Sequence, residues 1–163
     1  MKTKHLIAAL AVAFSTLTST TSHGMSVNIM EFLQNPGSFS ILIQELQQAK
    51  LESSFLKNLG KERTLIAPTN KAFMDFGMMG LIKKNEKLRD KLMKFHIIPR
   101  KISAKKLKRA KRLRTDSDKK LSGEKVGKIL YSIKAKNGII HVVDHLVLHP
   151  DVEKFVEIKQ KQR

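Results

Sequence analysis

Two apolar runs meet at Asn137-Gly138. Residues 129–135 alternate, and residues 139–148 carry Ile139, Ile140, Val142, Val143 and Val147. Period-two alternation and β-branched side chains read as strands. Lys136-Asn137-Gly138 between them predicts a tight turn, because Asn-Gly tolerates positive φ at both positions. The two runs are expected to form a hairpin, with Pro150 closing its second strand. The turn fixes the register, and the register decides which face of each strand is buried. The rest of the chain has to supply the layers that cover those faces.

With 163 residues, the chain is long enough for one domain with a workable core. No internal repeat or low-complexity linker divides it. Residues 26–33 predict a short helix stopped at Asn35-Pro36-Gly37. Ser38 is placed to cap a second helix, in which Phe39, Leu42, Ile43, Leu46 and Ala49 recur at helical spacing. A helical segment over 54–59 ends at Gly60. Thr64 to Ala67 reads as a buried strand ended by Pro68, with Thr69 or Asn70 capping a helical turn over 71–76. A Gly-Met-Met-Gly loop follows. Asn85 caps an amphipathic helix with Leu88, Leu92 and Phe95 as its stripe. Residues 96–98 read as a short strand. Ser103 caps a helix that runs to Ala110, with Leu107 as its anchor, and 122–124 form a turn.

The N-terminus has the pattern of an export signal. Lys2 and Lys4 precede an apolar stretch over 6–17, and Ser22-His23-Gly24 presents small residues at the positions a signal peptidase reads. Residues 1–24 are expected to be removed, leaving a secreted or periplasmic domain over 25–163 with its core in 27–150 and a short polar tail. The chain has no cysteine, which excludes disulfides, thiol chemistry and a lipid-modified cysteine anchor. It therefore has to be held by core packing.

Three segments in order resemble the fasciclin domain. Thr64-Leu65-Ile66-Ala67-Pro68-Thr69-Asn70-Lys71-Ala72-Phe73 is similar to the family's first signature. Phe95-His96-Ile97-Ile98-Pro99 is similar to its central Tyr-His segment. Asn137-Gly138-Ile139-Ile140-His141-Val142-Val143-Asp144 is similar to its second signature. The resemblance implies an α+β fold, a wedge of two small sheets with helices packed on one side. It also implies a non-catalytic adhesion module that contacts cell-surface or matrix components. The family-motif residues are Ala67, Pro68, Thr69, Asn70, Phe95, His96, Asn137, Gly138, His141 and Asp144, and these positions identify a fold better than a ligand. The central segment is linked to integrin contact in animal members. Phe95 here lacks the tyrosine hydroxyl, and Ser132-Ile133 stands where some members carry Asp-Ile, so that mode loses two of its groups. His96 is expected to be a hydrogen-bonded core residue, and Asp144 to have a structural role.

Charge is the feature particular to this chain. It holds 32 Lys and Arg against 14 Asp and Glu, a formal +18. Without the two signal lysines the net is about +16, which favours polyanionic partners. Eleven of these cations fall within 100–120, beside only Asp116 and Asp118. The polyanion-binding candidates are Arg100, Lys101, Lys105, Lys106, Lys108, Arg109, Lys111, Arg112 and Arg114. Aromatics are absent there, so base stacking has no platform and no specific nucleic acid is expected. Acidic polysaccharide or anionic lipid headgroups fit point-charge contact better. A solvated loop with no ligand is the competing reading.

His141, His145 and His149 recur every four residues. On a strand that spacing covers about 13 Å, too far for two of them to share one ion. No metal and no cofactor are expected. No Gly-x-Ser-x-Gly elbow, phosphate loop or His-Glu-x-x-His occurs. A small-ligand or lipid carrier is the alternative function, and a hydrolase is a third.

Overall fold

The computed structural model describes residues 27–34, 37–53, 61–77 and 79–162. The export signal and the helix expected over 54–59 lie outside the described residues.

The fold is α+β with two small sheets. In chain order the elements begin α1 (Ile29–Leu33), α2 (Ser40–Gln48), β1 (Arg63–Pro68), α3 (Asn70–Phe76), α4 (Met79–Lys83), α5 (Glu86–Phe95) and β2 (Ile97–Ile98). They continue with α6 (Ala104–Arg109), β3 (Leu113–Arg114), β4 (Lys120–Leu121), a 3₁₀ turn (Gly123–Val126), β5 (Ile129–Ala135), β6 (Gly138–Val143) and α7 (Pro150–Lys161). The larger sheet has the order β2-β1-β6-β5, with β1 and β6 parallel and the outer pairs antiparallel. Strands β3 and β4 form a separate antiparallel pair.

Strand alternation divides the interior in two. Leu65, Ala67, Ile97, Ile140 and Val142 point into a core built with α1 to α5 and α7. Ile66, Ile98 and Val143 point the other way, into a second core closed by Leu107 of α6, Leu113 of β3, Leu121 of β4 and Val126. Both faces of the central strands are therefore covered, and β6 is buried at all six positions.

Several expectations are corrected. β6 ends at Val143 rather than continuing to 148. Pro150 does not merely close the strand; it occupies the first turn of α7, where its missing N–H costs nothing. The residues beyond Pro150 continue as that twelve-residue helix, anchored by Val152 and Val156. Met79 begins helix α4 inside the expected loop. The β3–β4 pair inside the basic block was not anticipated, because two-residue strands carry too little periodicity to register.

Ser38 does not cap α2, whose N-cap position is Phe39 with no side-chain cap of its own. The orphan N–H of Ile41 instead donates to Asn70 Oδ1 at 3.0 Å, from 29 residues away. Asn70 Nδ2 donates to Gly37 O at 2.8 Å and Ser40 Oγ at 2.9 Å. Thr69 Oγ1 accepts from Ala72 N–H at 3.3 Å and caps α3. Asn137 Oδ1 accepts from Ile29 N–H at 2.9 Å and fastens α1 to the hairpin turn. The motif residues Thr69, Asn70 and Asn137 are thus architectural.

Candidate functional site

The second core carries the basic block on its outer surface. Thr64, fully buried on β1, donates from Oγ1 to Arg100 O at 2.8 Å and accepts from Ile102 N–H at 2.9 Å. That bracket holds residues 100–102 beside the sheet. Leu107 packs α6 onto the same core and leaves Lys105, Lys106, Lys108 and Arg109 exposed.

The β3–β4 pair follows the same logic. Leu113 and Leu121 point inward as cross-strand partners. Alternation then turns Arg112, Arg114 and Lys120 outward, where they are exposed. Arg114 and Lys120 stand directly opposite each other. Directly opposed like charges on a strand pair are destabilising. The connecting loop is cross-tied: Thr115 Oγ1 donates to Lys119 O at 2.9 Å, and Lys119 N–H donates to Ser117 Oγ at 3.2 Å. Asp116 N–H donates to Ile97 O at 2.8 Å, and the Asp116 carboxylate pairs with Arg63. The cations are therefore presented on a braced frame.

Two concavities flank this pair. The larger, about 790 Å³, is lined by Lys61, Arg63, Arg100, Arg112, Arg114 and Lys120 among others. Its one carboxylate, Asp116, is taken by Arg63. Among the described residues, no carboxylate pairs with Lys61, Arg100, Arg112, Arg114 or Lys120. The smaller, about 440 Å³, has Lys111, Arg112, Lys119, Lys120 and Lys125 in its wall, beside one carboxylate, Asp118, which is taken by His149; Lys125 is itself paired with Glu153. Arg112 and Lys120 belong to both.

Of the nine sequence candidates, Arg100, Arg112 and Arg114 line the larger concavity and Lys111 the smaller. Lys101 is held by Glu62 at 2.6 Å. The α6 cations line neither. Lys61 and Arg63 were missed because they lie some forty residues upstream, at the head of β1, and only strand pairing brings them to the block.

The four histidines among the described residues are all hydrogen-bonded. His96 is fully buried, donates from Nδ1 to Leu92 O at 2.8 Å and accepts at Nε2 from Val147 N–H at 3.2 Å. Burial pushes its pKa down to about 4. His141 donates from Nε2 to Ile102 O at 2.8 Å, and the Ser132 hydroxyl donates to Nδ1 at 2.7 Å. Its pKa is also lowered, chiefly by burial. His145 pairs with Asp144 at 2.8 Å and holds that carboxyl below its usual range. His149 caps α7, accepting from Asp151 N–H at 3.1 Å, and its Nε2 donates to Asp118 at 3.0 Å.

Asp118, His149 and Asp151 bring potential ligand atoms within 4.8 Å of one another. The Lys91 ammonium already sits among them, pairing with Asp151 and lying 3.7 Å from Asp118. Asp151 raises the pKa of Lys91, and Lys91 lowers that of Asp151. A third hollow of about 390 Å³ runs between α5 and α7 over Leu88, Phe155 and Ile158.

A pH dependence of stability follows from His96. Its folded pKa lies near 4, below the ordinary histidine value of about 6.5. Between those values the unfolded chain binds the extra proton, so stability rises with pH. As pH falls from about 6.5 to about 4, roughly 3 kcal/mol is expected to be lost. The urea midpoint at pH 7 and pH 4.5, with NMR titration of the His96 ring, checks it. A ring that titrates near its ordinary value would contradict the burial argument.

The sequence profile of the fasciclin domain matches residues 37–149. Among solved structures, a FAS1 domain pair from the insect cell adhesion molecule fasciclin I is similar at TM-score 0.46 and 14% identity. The match covers 65% of this chain and 44% of that one, so the chain spans under half of the compared structure. No curated protein matches.

Proposed function

The chain belongs to the fasciclin domain family, whose members are in general non-catalytic adhesion modules, and from that premise we propose that it is a secreted binding module for acidic polysaccharide. The observation that carries the reading is the larger concavity, where five cations converge without a carboxylate partner among the described residues. Arginine binds sulfate and carboxylate groups bidentately, and three of the five are arginines. A hollow surface suits a chain of anionic sugars better than a planar bilayer. No helix among the described residues is long and apolar enough to cross a membrane. The three buried histidines among the described residues, His96, His141 and His149, have hydrogen bonds at each ring nitrogen, which leaves none of them poised as a base.

Binding of this kind weakens steeply with salt. The chain from residue 25 onward is expected to be retained on immobilised heparin at physiological salt and to elute as NaCl rises well above it. Passage through the column at physiological salt would refute the reading.

A further inference from the structure

The two basic concavities are not independent. Arg112 and Lys120 line both, so the outward face of the β3–β4 pair is a ridge shared by two cationic hollows. Arg114 faces Lys120 across the strands, and among the described residues no carboxylate lies between them. That repulsion is relieved when an anionic group bridges the two side chains. The ridge is also stiff, since Asp116 is tied to β2 through its N–H and to β1 through Arg63. Beyond the ridge, Lys111 and Lys119 continue the run of cations into the second hollow. No aromatic lines the first hollow, and Phe95, fully buried, is the one in the second, so stacked bases have no platform across this surface.

We propose that the two hollows form one track, occupied by a single linear acidic polysaccharide that crosses the β3–β4 ridge at Arg112 and Lys120. This rests on the polysaccharide reading above and deepens it: the ligand is a polymer several sugars long rather than an isolated sulfate or uronate. Filling the first hollow places the rest of the chain beside the second. The second set of contacts then forms at high effective concentration.

The test is calorimetric titration of the chain from residue 25 onward with size-defined heparin oligosaccharides. Affinity is expected to climb roughly a hundredfold from disaccharide to about dodecasaccharide, at one chain per protein, and then level off. Lys111→Ser with Lys119→Ser lies outside the first hollow. That pair is expected to cost the long oligosaccharides about tenfold while leaving the shortest unchanged. Equal affinity at every length, or equal loss at every length in the double variant, overturns the track while polysaccharide binding stands. No binding at any length overturns both.

Discussion

Replacing Arg100, Arg112 and Arg114 with serine is expected to abolish retention on immobilised heparin at physiological salt. These three guanidinium groups line the larger hollow and have no carboxylate partner among the described residues. Each contact to an ionised sulfate or carboxylate contributes about 1 kcal/mol or more. Losing three therefore removes roughly 3 kcal/mol, a factor of about a hundred in affinity. The informative comparison removes more charge elsewhere. Serine at Lys105, Lys106, Lys108 and Arg109 strips four cations from α6, which line neither hollow. If the hollow organises binding, the triple variant loses far more affinity than the quadruple one. If net charge alone governs, the quadruple variant is the weaker binder, and the site assignment is wrong. Folding is not the confounder, since the substituted side chains are exposed and such changes stay within about 0.5 kcal/mol. Arg114→Ser also removes the opposed charge at Lys120, so a small gain in stability is expected.

Gly138→Ala is expected to be among the most damaging single substitutions. Gly138 has φ near +152° and pairs with Arg63 across the parallel β1–β6 ladder. A Cβ there would lie 1.9 Å from Arg63 O and 2.8 Å from Arg63 N. Both are backbone atoms and cannot swing aside, so the central strand pair has to part. A cost of about 3 kcal/mol or more follows, against a typical total of about 5–15. That corresponds to a fall in Tm on the order of 10 °C. Arg63 also braces Asp116, so the variant should loosen the basic hollow before it unfolds. Gly80→Ala is the control: nothing lies within 4 Å of its added Cβ, and it sits in a helix. It should be neutral or slightly stabilising. Thermal unfolding of both variants decides the matter, and a Gly138→Ala protein as stable as the parent would show that β1 and β6 are not so closely joined.

Asn137-Gly138 also shows where the sequence was legible and where it misled. The antiparallel β5–β6 hairpin is there, with Ala135 paired to Gly138. Its turn is not the one expected, since only Gly138 has positive φ. The glycine is required by a third strand, β1, which no local pattern names. Asn70 teaches the same lesson: Ser38 had the right local chemistry for a cap, yet a side chain 29 residues away took the role. His96 was expected to be a hydrogen-bonded core group, and its bonds to Leu92 and Val147 place it there.

By itself, the sequence determined the strand and helix periods, the family signatures, with the α+β class that the resemblance implies, and the concentration of positive charge in 100–120. All of these follow from residues close together along the chain. Only the tertiary structure decided which cations act together. The β3–β4 pair is too short to show a period, and Arg63 and Lys61 reach it through pairing of distant strands. Burial of Leu113 and Leu121 then turned Arg112, Arg114 and Lys120 outward, so that a run of charge became a lined hollow.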